Sequence, residues 1–152
     1  MAQDAVSLIK ADHRKVEQLF RDFEEAGDRA YKTKQQLVEQ IIRELEVHAT
    51  VEEMALYPAI REAVEKGDVD DMVLESLEEH HIVKWVLSEL EKMTPDHERF
   101  DAKVTVLMEN VRHHVEEEES ELLPQSEEIL GDEELARLGE EMAARKQQLG
   151  AG

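Results

Sequence analysis

Apolar positions recur every three to four residues along most of this chain, the spacing of amphipathic helices. Val6, Ile9, His13, Val16, Phe20 and Phe23 form a first stripe, opened by Asp4 as a helix cap and closed near Gly27. A second stripe runs through Leu37, Ile41, Leu45, His48, Glu52 and Leu56. It lies in a helix predicted over 31–66 and kinked at Pro58, which cannot donate to the carbonyl four residues back. A third helix is predicted over 70–93. The fourth is expected to start from Thr94-Pro95, a cap residue followed by proline, and carries Val104, Leu107, Met108, Val111, His114, Glu118 and Leu122. A fifth, shorter helix is expected over 132–149, with Gly150-Ala151-Gly152 as a frayed tail. Short connections make neighbouring helices antiparallel. The reading is therefore all-α: an up-down-up-down four-helix bundle over about residues 4–126, with an additional C-terminal helix that the pattern does not place. Residues 1–152 read as a single domain.

Two of these stripes carry charged residues where a core would be expected. His48 to Pro58 and His114 to Pro124 both read H-x3-E-E-x2-L-x-P without a gap. Upstream, Asp12-His13 and Glu79-His80 each open an acid-His-x-x-Val pattern followed by two apolar residues. The separations match closely: 35 residues from His13 to His48, and 34 from His80 to His114. The chain thus reads as two helix-pair halves, each offering one His and then a His with a Glu one turn later.

Residues four apart on a helix face almost the same way, so His48 points with Glu52 and His114 with Glu118. A carboxylate turned toward a bundle core is costly unless it is paired or binds a metal. A two-metal site, with the carboxylates bridging and imidazoles in terminal positions, satisfies all six of His13, His48, Glu52, His80, His114 and Glu118. His80 is chosen over His81 because it shares a stripe with Val73, Leu77 and Leu87 and aligns with His13. His114 is chosen over His113 because it keeps the spacing to Glu118 and Pro124. His81 and His113 stay as alternative ligands or surface residues, and His97 as a surface residue. Glu53 and Glu119 are candidates for orienting a ligand imidazole. Trp85 and the phenylalanines are assigned to core packing. No catalytic residue apart from the metal site is indicated.

Composition narrows the chemistry. Cysteine is absent, which excludes disulfides, thiolate catalysis and Cys-based metal sites. The donor set is all nitrogen and oxygen, suiting iron, manganese or zinc. A net charge of −20 opposes nucleic acid and anionic membrane surfaces. No apolar run approaches the roughly 18–20 residues of a membrane span. The expectation is a soluble, cytoplasmic protein.

At these residues the chain resembles the hemerythrin family, specifically the bacterial HHE cation-binding domains, over about residues 4–126. The two H-x3-E-E-x2-L-x-P segments carry most of the likeness. The resemblance implies a four-helix bundle around an oxo- or hydroxo-bridged pair of irons. His13 and His48 would serve one iron, His80 and His114 the other, with Glu52 and Glu118 bridging. Oxygen-carrying members place a further His one turn after the third-helix ligand. Lys84 stands there if His80 is the ligand, and Trp85 if His81 is. A missing fifth imidazole leaves a coordination position open at each iron unless Lys84, a Glu or water fills it. The function implied is a non-haem di-iron protein that binds or reacts with dioxygen, peroxide or another small diatomic. Rival readings are a di-iron enzyme disproportionating peroxide, an iron-responsive binding module, and a metal-free structural bundle.

Overall fold

The computed structural model describes residues 3–150; Ala151 and Gly152 of the expected tail lie outside the described residues. Six α-helices account for most of the chain: α1 Ala5–Glu25, α2 Tyr31–Val51, α3 Tyr57–Ala63, α4 Asp68–Leu90, α5 Phe100–Glu117 and α6 Leu123–Gln148. Together they make an all-α, up-down-up-down four-helix bundle with an additional C-terminal helix.

Helix α1 begins as its sequence dictates, with the Asp4 side chain accepting a hydrogen bond from the Ser7 amide at 2.8 Å. Its whole predicted stripe, from Val6 to Phe23, is buried. Helix α4 starts slightly before the predicted position and ends slightly before it. The fourth bundle helix departs further, starting at Phe100 and not at Thr94-Pro95. Residues 94–99 instead form turns closed by the His97 amide on the Thr94 carbonyl and the Phe100 amide on the His97 carbonyl, each at 3.0 Å. These turns bury Pro95 and deliver Phe100 into the core.

The two repeated segments share an unforeseen backbone. Helix α2 passes at Glu52 into a π-helical segment, Glu52–Leu56, before α3 starts at Tyr57-Pro58. Helix α5 does the same through Glu118–Leu122 before Leu123-Pro124. In each, the amide before the proline bonds the carbonyl five residues back: Tyr57 to Glu52, and Leu123 to Glu118. The expected kink at Pro58 is thus a widened turn, with the proline at the start of the next helix where its missing N–H costs nothing.

Helix α6 is interrupted at Gly131, whose φ of 78° and ψ of 168° are non-helical and suit glycine, so its second half begins where the fifth helix was expected. Beyond it, Leu135, Leu138 and Met142 join Ala5, Val6, Ile9, Tyr57 and Ile60 in one apolar layer. A second layer is built on Val16, Phe20, Ile41, Leu45, Leu87, Leu107 and Val111. Trp85, expected in the core, is 65% exposed. It shares the outward side of α4 with the exposed Leu74, His81 and Ile82, because the inward side is taken by Val73, His80 and Leu87. No helix among the described residues is long and apolar enough to cross a membrane.

Candidate metal centre

Between the two apolar layers lies a buried polar band. His13 comes from α1, His48 from the last turn of α2, His80 from α4 and His114 from α5, and each is only 5–8% exposed. Glu52 and Glu118, the first residues of the two π segments, are 0% and 2% exposed. All six residues of the predicted set therefore come together.

The inward nitrogens face the two carboxylates. Nε2 of His48 lies 3.0 Å from Glu52 Oε1, and Nε2 of His80 reaches the same oxygen from across the bundle at 3.3 Å. Nε2 of His13 lies 3.1 Å from Glu118 Oε1, and Nε2 of His114 lies 3.6 Å from Glu118 Oε2. The rings stand in pairs, His13 with His48 at 5.1 Å between centroids and His80 with His114 at 5.0 Å. Donor atoms close enough to share an ion form two buried groups, His13-His48-Glu118 and Glu52-His80-His114.

The outward nitrogens obey a single rule. Nδ1 of His48 meets Asp12 at 2.9 Å, His114 meets Glu79 at 2.6 Å, His80 meets Glu53 at 2.8 Å and His13 meets Glu119 at 2.6 Å. The acid ahead of the first His in each half holds the second His of that half. The acid after the inward Glu holds the first His of the other half. An ionised carboxylate only accepts, so each Nδ1 carries a proton and donates it. A neutral ring then presents its Nε2 lone pair to the lone pairs of Glu52 or Glu118. Six such buried atoms have no hydrogen-bond partner: Nε2 of His13, His48 and His114, both oxygens of Glu52, and Oε1 of Glu118. Lone pairs facing one another in a buried site need a proton or a metal cation between them. Nitrogen and oxygen donors bound side by side to one ion at roughly 2 Å each lie roughly 3 Å apart, close to these separations. The residues fit a metal.

The electrostatics agree. Burial works against a charged ring at His48, His80 and His114, yet the carboxylates outweigh it. Glu52 and Asp12 hold His48 well above the ordinary histidine value, Glu52 and Glu53 raise His80 to about 9, and Glu79 and Glu118 raise His114. Burial opposes ionisation of Glu52, but His48 and His80 overcome it and hold the carboxyl well below the usual range. The site is a cation trap, with protons as its default occupants.

Tyr57 breaks the twofold pattern. Its hydroxyl donates to Glu118 Oε2 at 2.5 Å and lies 3.4 Å from His80 Nε2. Burial, then the charges of Glu52 and Glu118, push the phenol well above its usual range, so it stays protonated. Leu123 occupies the equivalent place in the second segment, so the repeat gave no signal for Tyr57. Asp12 and Glu79 were visible as a repeated acid-His pair without an assigned role. Lys84 points away from the centre, to both oxygens of Glu53 at 2.9 Å. His81 is exposed, and His113 is exposed beside Glu117 at 2.8 Å.

Residues 4–126 match the hemerythrin HHE cation binding domain family. A hemerythrin-like protein of Schizosaccharomyces pombe is 31% identical over 127 residues, which cover 83% of this chain and 61% of that protein. A Nostoc protein named as a DNA nickase is 30% identical over 142 residues, 93% of this chain and 39% of that one. This chain thus spans less than two thirds of either relative. Among solved structures, a hemerythrin HHE cation binding domain-containing protein of Mycobacterium kansasii aligns with a TM-score of 0.82 and 26% identity. That alignment covers 97% of this chain and 87% of the other.

Proposed function

The chain belongs to the hemerythrin HHE cation-binding family, and from that premise we propose that it holds two irons and binds or reacts with dioxygen or peroxide. His13, His48, His80 and His114 would be the imidazole ligands, with Glu52 and Glu118 shared between the metals. The observation that carries this reading is the set of six buried, unpartnered donor atoms, all on residues of the predicted set. A bound iron pair would supply Lewis acidity and one-electron redox chemistry toward oxygen species.

The chain's own residues do the rest. Asp12, Glu53, Glu79 and Glu119 hold the imidazoles by Nδ1 and fix which nitrogen faces inward. The Tyr57 hydroxyl gives Glu118 a donor and, among the described residues, is the one neutral hydroxyl bonded to the inward groups. A cavity beside the imidazoles opens the centre to small molecules. No fifth imidazole replaces Lys84, whose amine is held by Glu53, and this favours reaction with peroxide over stable oxygen carriage. We also propose that 1–152 act as one domain, since residues beyond Gly131 share an apolar layer with α1 and α3. A DNA-directed role, suggested by the name of the Nostoc relative, is disfavoured by the net charge of −20.

The test is elemental analysis of the reconstituted chain with optical spectra before and after adding dioxygen or peroxide. About two irons per chain are expected, following the two ligand groups. A chain that retains no iron, manganese or zinc would defeat the reading.

A further inference from the structure

We propose that the cavity on the imidazole side of the centre is a binding site for an uncharged, apolar organic molecule. About ten to twenty non-hydrogen atoms would suit its size.

The cavity has a volume of about 520 Å³. An apolar void of roughly 150 Å³ already binds benzene, and one water needs only roughly 10–15 Å³. Dioxygen or peroxide alone therefore leaves most of the space unused. The four imidazoles form one end; Glu52 and Glu118 do not line it. Its walls are cut into the second apolar layer, at Val16, Phe20, Leu45, Val83, Leu87 and Val111. A tightly packed bundle would fill this space with side chains.

Arg112 helps to enclose the cavity. Its guanidinium crosses from α5 to α1, meeting Glu17 at 2.9 and 3.0 Å and Glu24 at 3.0 and 3.3 Å, and lies 5.5 Å from the centre of the Phe20 ring. Its donors are taken by these carboxylates. Most other charged groups of the lining are likewise committed within the protein. Asp12 is bonded to His48 and Lys146, Lys84 to Glu53, and Glu119 to His13. Only Arg14 and Glu116, both exposed and of opposite sign, lack a partner among the described residues. The lining thus offers apolar area with no buried unmatched charge, and its two unpaired groups are exposed and of opposite sign, which favours a neutral occupant over a carboxylate or an amine. Protein side chains alone form this site, so it stands whether or not the metal reading does.

The experiment uses the full chain, both metal-loaded and metal-depleted, with 1-aminoanthracene as a fluorescent neutral probe. Saturable brightening at one probe per chain is expected in both forms, reversed by 1-decanol and at least about tenfold less effectively by decanoate. Val111→Phe and Leu45→Phe, which fill the cavity, should each weaken probe binding by at least about tenfold without loss of metal or helical content. Arg112→Met opens the enclosure and should speed both probe entry and release severalfold. It serves if a filling variant fails to fold. Absence of saturable binding, equal competition by decanoate, or affinities and rates unchanged in all three variants would overturn the proposal. Metal retained without probe binding defeats this inference alone; probe binding without metal retention defeats only the iron reading.

Discussion

Each imidazole in this site answers to two carboxylates with different tasks. The inward one faces Nε2, and the outward one fixes the tautomer at Nδ1. That division predicts graded effects. His80→Ala and His114→Ala remove inward nitrogens and should abolish stable metal retention, whereas His81→Ala and His113→Ala change exposed side chains and should leave it intact. Asp12→Asn keeps the shape beside His48 but removes the charge that orients it, so metal affinity should fall about 10–100-fold. Competition against a calibrated chelator measures all five variants. Retention by His80→Ala with loss in His81→Ala would reverse the register assigned to α4. The inward six were legible because periodicity and repetition both marked them. Tyr57 was not, because a tyrosine beside a proline carries no periodic signature and its counterpart is Leu123. Trp85 was misread because a lone aromatic in a helix does not reveal which side of the helix is covered.

Among the elements, the helices were legible and their junctions were not. Stripe spacing located α1, α2, α4 and α5, since an amphipathic face repeats over several turns. The π segments hide within eleven-residue motifs that look helical throughout, and only the prolines hint at a change of hydrogen bonding. They also explain why the motif contains a proline at all: a widened turn ends where the next helix can start without an amide proton. The position of the far half of α6 depended on one residue whose role is steric. A Cβ at Gly139 would overlap the Gln3 carbonyl oxygen and the backbone of Asp4. Glycine there lets α6 lie against the start of α1, and the same helix brings Lys146 to Asp12. Gly139→Ala should therefore destabilise the fold by about 1–3 kcal/mol through forced separation of two backbones. Urea unfolding at fixed metal content reads it. A midpoint equal to that of the natural sequence would mean that α6 does not sit this close to α1.

Across the whole molecule, an acidic chain has placed two further carboxylates, Glu52 and Glu118, inside its core with four more behind the imidazoles. Something positive must accompany them, and either protons or metal ions serve. This makes stability without metal depend on pH with a defined sign. The ordinary histidine value is about 6.5, whereas His80 in the folded chain is raised to about 9, against its burial, by Glu52 and Glu53. A group whose value rises on folding stabilises fully below its unfolded value and loses that contribution as pH climbs through the folded one. The metal-free chain should therefore weaken between about pH 6.5 and 9, by no more than about 3 kcal/mol for His80. His48 and His114 shift the same way and act with it. Metal ions replace these protons, so the loaded chain should show a flatter profile, and apparent metal affinity should climb across the same interval. Apparent metal affinity then begins to fall with acid from well above the ordinary histidine range, because the protons that compete are held by the same carboxylates that hold the metal. Urea midpoints at pH 6.5 and 9, with and without metal, decide the matter. A metal-free chain that is as stable or more stable at pH 9 would show that the imidazoles are not the core's reserve of positive charge.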